Sequence, residues 1–328
     1  MNLFVTNVSS TIGFGHLSRT LAIASYFKKK DNFLFIKGSR NIGLKNKKLF
    51  SKIHSNTNKN LLKKLEFYLK NKSKKKAYIF IDDYKLSLNI LRKICSLNAS
   101  IIEHIPKKRI NNLYSDISIC LSPEKFKSSK NILLSGIKYF VLDKRKFNKK
   151  NSKKKQNKII ISLGGGTDKN CIRKIIQNLI SVESRIKNVH IYTTRLNQLN
   201  KTNKKFIKKM NLKNKMSIKY FINEKNFIDK LKTCNLLITT PGLTFLEASY
   251  LKIPTLALSF NKTQEEHIKS FPSYKKIYIG NFKKINFYKL NKLIKKIFSK
   301  KIEMKNIVNS VDKFGFKRIL NEIKKFNA

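Results

Sequence analysis

Residues 3–19 read Leu-Phe-Val-Thr-Asn-Val-Ser-Ser-Thr-Ile-Gly-Phe-Gly-His-Leu-Ser-Arg, and their order decides the fold. Leu3 to Val8 is an apolar run of strand length. It passes straight into a Ser/Gly loop, and a helical pattern follows from about His16 to Lys29. Strand, glycine turn and amphipathic helix together open a βα unit. No basic segment precedes the run, so it does not read as a signal peptide.

Working outward, the alternation repeats. Phe33–Ile36, Tyr78–Ile81, Ser100–Glu103 and Ile117–Leu121 read as strands, with helical patterns such as Leu86–Cys95 between them. Residues 144–158, "KRKFNKKNSKKKQNK", break the pattern and read as a solvated linker. The alternation then restarts with strands at Lys158–Leu163, Val189–Thr193, Met216–Phe221, Leu236–Thr240 and Thr255–Phe260, and a late candidate at Lys276–Ile279. Asn226–Thr233 and Thr244–Leu251 are the clearest helices, and Lys289 onward reads as helical to the end. Two doubly wound, Rossmann-like α/β domains are therefore expected: residues 1–145, a basic linker over 146–157, and residues 158–305. A terminal helix over 306–328 could cross back to the first domain. In such sheets ligands bind outside the carboxyl ends of the strands.

Composition narrows the function. Of the 328 residues, 73 are Lys or Arg and 18 are Asp or Glu, a formal net charge of +55. A nucleic acid or another polyanion is the direct reading of that charge. The lysines are scattered among Asn, Ile and Phe, however, as expected of an AT-biased coding sequence, and no RNP, KH or zinc-finger pattern gathers them. A specific nucleic-acid role is not expected; loose association with an anionic membrane surface is. Cys95, Cys120, Cys171 and Cys234 form no C-x-x-C pair and no metal spacing, so reduced thiols in the cytoplasm are expected, without a metal or cofactor. No apolar run is long enough to span a bilayer.

Five loops at strand ends carry the chemistry. In Ser9–Arg19, Gly13 and Gly15 let the backbone approach a ligand, and His16 stands at the helix start, where a neutral imidazole could take a proton from water. Capping of the helix is the alternative for His16. Leu163-Gly164-Gly165-Gly166-Thr167-Asp168 permits close approach of a diphosphate, or is an ordinary βα turn; it is neither a Walker A loop nor the dinucleotide fingerprint. Thr239-Thr240-Pro241-Gly242-Leu243-Thr244 precedes a helix whose Glu247 could accept both hydroxyls of a ribose; a Thr244/Glu247 capping box is the alternative. Asn261-Lys262-Thr263-Gln264 could read sugar hydroxyls or be a solvated loop. Asp82-Asp83-Tyr84 ends a strand. Adjacent acids there point to opposite faces, so they are no acid/base pair, and Tyr84 could touch substrate or pack.

Six motifs in order carry a resemblance. "IGFGHLSRTLAIA", "IFIDDY", "LLSGIKYFVLDKRKF", "SLGGGTDKN", "TPGLTFLEASYLKIPTLAL" and "VDKFGFKRI" resemble those of the UDP-sugar hydrolases of pseudaminic acid biosynthesis. Those enzymes remove UDP from UDP-2,4-diacetamido-2,4,6-trideoxy-β-L-altropyranose. They belong to the glycosyltransferase-B (GT-B) superfamily, beside the lipid II N-acetylglucosaminyltransferase, with two domains facing across a cleft. The resemblance implies that His16 helps water attack the anomeric carbon, with inversion and C–O cleavage. It implies that Gly13, Gly15, Arg19, Tyr84, Asn261 and Gln264 line the sugar site. Gly164, Gly165, Gly242, Leu243 and Thr244 would hold the diphosphate, Glu247 the ribose, and Phe221 and Ile222 the uracil. A monomer that needs no metal is implied. The chain departs from the family pattern at Val5, Asn7, Glu103-His104, the split Asn261/Gln264 pair and Lys313. A GT-B glycosyltransferase with a lipid or glycan acceptor, and a non-catalytic polyanion-binding protein, are the competing readings.

Overall fold

The computed structural model describes residues 1–8, 14–38, 48–71, 76–123, 131–147, 157–164, 169–182, 186–194, 199–213, 216–271, 275, 277–299 and 311–326. Two compact units divide the chain: Met1–Asn148 with Asp312–Ala328, and Lys149–Val311.

The first unit holds β1 (Asn2–Val8), α1 (Gly15–Ala24), β2 (Asn32–Gly38), β3 (Lys52–Asn56), α2 (Asn58–Lys70), β4 (Tyr78–Asp82), α3 (Leu88–Cys95), β5 (Ser100–His104), β6 (Ile117–Cys120), β7 (Ile132–Ser135) and the short α4 (Lys144–Phe147). Its sheet runs β3-β2-β1-β4-β5-β6-β7, parallel throughout. All seven residues of β1 are buried, because both faces of the strand are covered. Phe4 and Val8 pack with α1 and Phe80 on one face, while Leu3 and Val5 pack with Leu61, Ile79 and Leu91 on the other. The strand order reverses between β1 and β4, the switch point at whose carboxyl edge ligands bind in such sheets.

The second unit holds β8 (Lys158–Ser162), α5 (Lys169–Val182), β9 (Asn188–Thr193), α6 (Lys201–Lys213), β10 (Ser217–Ile222), α7 (Phe227–Leu231), β11 (Leu236–Thr239), α8 (Leu243–Tyr250), β12 (Thr255–Ser259), α9 (Lys262–Lys269), β13 (Tyr278–Asn281) and α10 (Phe287–Phe298). Its parallel sheet runs β10-β9-β8-β11-β12-β13, and the order reverses between β8 and β11. The core joins Ile159, Ile161, Ile191 and Ile238 of the strands to Ile172, Ile175 and Ile176 of α5 and Leu290 and Ile294 of α10. Among the described residues no helix is long and apolar enough to cross a membrane.

Four expectations are corrected. The first helix stops at Ala24 rather than near Lys29 because buried Asn32 intervenes. Its amide nitrogen donates to Ala24 O at 3.1 Å and to Leu49 O at 3.0 Å, and its oxygen accepts from Asn2 at 3.0 Å. The strands β3 and β7 close the two edges of the first sheet; their half-exposed sequences lack the apolar run of a central strand. The segment read as linker begins with the turn α4, where Arg145 bonds Asp143. The helix expected from Lys289 onward is two helices, α10 and α11 (Gly315–Phe326), and α11 belongs to the first unit.

The "VDKFGFKRI" segment at the start of α11 has a packing reason. Arg318 forks onto Asp312 and donates to Lys138 O at 2.8 Å. Phe316 stacks on Tyr26 at 4.3 Å. A Cβ on Gly315 would stand 2.0 Å from Phe140 O, so only glycine lets the helix start so close to that backbone. Gly315→Ala should therefore cost about 1–3 kcal/mol in a denaturant titration, against a negligible change for the exposed Lys317→Ala.

Candidate active site

Residues 9–13, and with them Gly13, lie outside the described residues. The chain resumes at Phe14, the N-cap of α1, so Gly15 is the first helical residue and His16 the second. His16 does not cap the helix. Its ring turns to the end of β4, where Nδ1 lies 2.5 Å from Asp82 Oδ1. Arg19, one turn further along α1, grips the same carboxylate: Nε donates to Oδ2 at 2.7 Å and Nη2 to Oδ1 at 2.8 Å. Tyr84 stands against the pair, its ring 4.4 Å from the His16 ring and edge-on, and 5.4 Å from the Arg19 guanidinium. Tyr84 remains 38% exposed, whereas His16 is 7% and Asp82 3% exposed.

These distances fix the proton. A carboxylate only accepts, so Nδ1–H must donate to Asp82; in the neutral ring that tautomer leaves the Nε2 lone pair as the proton acceptor. Burial by itself would raise the Asp82 pKa. The charges of Arg19 and His16 and their hydrogen bonds outweigh it and hold the carboxyl well below the usual carboxylate range. Asp82 therefore stays ionised, and the Arg19 fork keeps its orientation. Sequence reading placed Arg19 in the sugar site and read Asp82 only as no acid/base partner of Asp83; the structure ties the Arg19 side chain to Asp82 beside His16.

The adjacent acid points away, as the alternation of a strand requires. Asp83 Oδ1 accepts from Asn7 Nδ2 at 3.1 Å and from Lys85 N at 3.0 Å. Two departures from the family pattern thus have structural partners: Asn7 bonds Asp83, and Glu103 pairs with Arg109 at 2.8 Å. Burial pushes the Glu103 carboxyl up to about 7, against the opposing pull of Arg109. Ile81 pairs with Glu103 in register, which sets His104 beside Asp82 on the same face. Burial, helped by the Arg19 and His16 charges and opposed by Asp82, drives the His104 pKa down to about 4.

In the second unit the switch point brings together the loops after β8 and β11. Gly164 has φ +72°, and a Cβ there would meet Thr240 Oγ1 at 3.4 Å. Thr239 Oγ1 donates to Ser162 O at 2.6 Å and so ties the two strand ends together. Gly165, with residues 166–168, lies outside the described residues. Gly242 is the N-cap of α8 and has no side-chain cap, so Thr244 sits at the second helical position and forms no capping box with Glu247. The first N–H groups of α8, on Leu243 and Thr244, have no acceptor within the helix and suit an anion. Glu247 follows one turn along.

Phe221 and Ile222 end β10. Asn223 N donates to Thr193 O at 2.9 Å, while both peptide groups of Ile218 are bonded by the Asn211 side chain on the opposite edge. That alternation turns the amide and carbonyl of Ile222 to the open edge of the sheet. Tyr192, unremarked in the sequence, lies flat on Phe221 with ring centroids 4.8 Å apart. Burial pushes its phenol up to about 12. Asn261 and Gln264 cap α9 reciprocally: Asn261 Oδ1 accepts from Gln264 N at 2.9 Å, and Gln264 Oε1 from Phe260 N at 2.8 Å. Their carbonyl oxygens each accept one bond in this cap, and their amide N–H groups are the donors they could offer a ligand.

No family model matches the chain. An uncharacterized protein of Methanocaldococcus jannaschii is 28% identical over 287 residues, 80% of this chain and 56% of that protein. The chain thus spans about half the length of the curated relative it matches. Among solved structures, MurG of Acinetobacter baumannii superposes with a TM-score of 0.65 at 12% identity, covering 99% of each chain. The UDP-GlcNAc 2-epimerase from Neisseria meningitidis, bound to UDP-GlcNAc, gives 0.63 at 10% identity, covering 99% of this chain and 100% of that one. The likeness is one of fold: two parallel-sheet α/β domains of the GT-B type.

The buried neutral ring of His104 has a consequence for acid stability. The unfolded chain takes up a proton near pH 6.5, but the folded one does so only near pH 4, so stability present at neutral pH is lost as pH falls between those values. That loss is at most about 3 kcal/mol. In denaturant titrations His104→Gln should show a correspondingly smaller loss of stability over this window than the parent.

Proposed function

We propose that the chain is a UDP-sugar hydrolase, acting on a UDP-activated diacetamido-trideoxy sugar of the pseudaminic type. The observation that carries this reading is the His16–Asp82 pair at the β1/β4 switch point, which leaves Nε2 as the base. Nε2 takes a proton from water, and the water oxygen attacks the anomeric carbon from the face opposite UDP. The anomeric C–O bond breaks, and its electron pair leaves on the diphosphate. Asp82 holds the ring in the required tautomer and faces the imidazolium as it forms. The N-terminal N–H groups of α8 offset the charge on the departing UDP. Glu247 is assigned to the ribose and the open edge of Ile222 to the uracil. Arg19 serves as the residue that positions Asp82.

A GT-B glycosyltransferase is the second reading, favoured by the fold likeness to MurG. The same base would then deprotonate an acceptor hydroxyl. The two are separated by incubating the protein with UDP-diacetamido sugars without an acceptor. Free UDP is expected for the hydrolase; release only on adding a lipid or glycan acceptor would establish the transferase. His16→Ala and Asp82→Asn should each slow UDP release by about 10²–10⁴-fold while UDP affinity is retained.

Gly242 tests the nucleotide site separately. Its φ of −141° suits any residue, and a Cβ there meets nothing closer than 4.0 Å. Gly242→Ala should leave the unfolding midpoint almost unchanged yet weaken UDP binding by about 10-fold or more in calorimetry, since the methyl would occupy the diphosphate's approach. Unchanged UDP affinity would remove the diphosphate from this helix.

A further inference from the structure

The outward flank of α5 carries a pocket that the reading above does not use. Asn170, Arg173, Lys174 and Gln177 recur at helical spacing on one face, while Cys171, Ile172, Ile175, Ile176 and Leu179 of the same helix enter the core. Opposite that stripe stands the 3₁₀ turn Phe282–Lys284 after β13, which contributes Phe282 and Lys283. The space enclosed is about 510 Å³, within the usual size of small-molecule sites.

Its lining is chemically one-sided. Arg173, Lys174 and Lys283 line it, and among the described residues no acidic side chain does. Aromatic contacts hold the cations in place. The Arg173 guanidinium lies 5.0 Å from the Phe206 ring, and Lys174 Nζ lies 5.6 Å from the Phe282 ring. Phe282 is itself backed by Phe260 at 5.4 Å, which leaves it as a fixed apolar wall. An Arg fork and two ammonium groups suit the oxygens of a phosphate, and an aromatic wall suits a ring attached to it. The stripe runs from Asn170 to Gln177, roughly 10 Å along the helix axis, away from the glycine loop that precedes α5.

We propose that this pocket is a second anion site, separate from the nucleotide site, which takes a small phosphate-bearing ligand carrying an aromatic ring. Arg173 and Lys283 grip the phosphate from opposite walls, Lys174 adds the third charge, and Phe282 receives the ring. The site is independent of what the nucleotide loops bind.

With a net charge of +55, general attraction to anions is the rival explanation, so the test compares variants of equal charge. The full chain is titrated calorimetrically with phenyl phosphate and with inorganic phosphate, at physiological ionic strength, alone and in excess UDP. Phenyl phosphate should fill one saturable site in both conditions and bind more tightly than inorganic phosphate. Arg173→Gln combined with Lys283→Gln should weaken it about 10-fold or more. Lys63→Gln combined with Lys93→Gln, which removes the same charge from the first unit, should not. Phe282→Ala should erase the advantage of phenyl phosphate over inorganic phosphate. Equal weakening by the two double variants would overturn the proposal, as would displacement of phenyl phosphate by UDP. The UDP-free titration decides the matter whether or not UDP binds. The residues changed in the double variants are exposed, so each variant should keep the parent's thermal unfolding midpoint, which is measured alongside.

Discussion

Parallel pairing of β1 with β2 on one side and β4 on the other is the constraint on which the first unit depends. The strand order reverses between β1 and β4, which makes their carboxyl ends the switch point where ligands bind in such sheets. The Phe14–His16 start of α1 and the Asp82–Tyr84 turn are the two segments delivered there. The same reversal between β8 and β11 delivers Gly164 and the Thr239–Gly242 turn in the second unit. Both candidate sites are thus consequences of strand order before they are consequences of side-chain chemistry.

Within that frame the first site is an electrostatic construction. A carboxylate as buried as Asp82 would normally be neutral, and a neutral acid would leave the His16 tautomer undetermined. Arg19 settles this by forking onto both oxygens. The choice of arginine is general in this unit: buried Glu103 pairs with Arg109, and Asp143 with Arg145, although lysine dominates the composition. A planar fork satisfies both oxygens of a buried carboxylate, which an ammonium does not. The many lysines are left mostly to the surface.

Much of the fold was legible because central parallel strands are nearly continuous apolar runs, which identify themselves. Central strands such as β1, β4 and β8 were all readable in this way. The edge strands β3 and β7 were not, since a strand covered on fewer sides needs less apolar sequence. The end of α1 was hidden because Asn32, not a local stop signal, terminates it. Gly164 with its positive φ and the start of α8 at Gly242 were legible as turn chemistry. Asn261 and Gln264 were legible as polar residues at a strand end, but their mutual cap follows from the backbone path that brings Gln264 back to Phe260.

The sequence by itself determined where the central strands lie and that His16 lies at a helix start. These are local properties, set within one turn or one strand. What only the tertiary structure decided is the company each residue keeps. Asp82 meets His16 across 66 residues of chain, and Tyr192 meets Phe221 through the register of neighbouring strands. Strand order and register fix those pairings, and nothing in the spacing of either residue encodes them. His16 therefore gains Asp82 as its partner only after β4 has paired with β1.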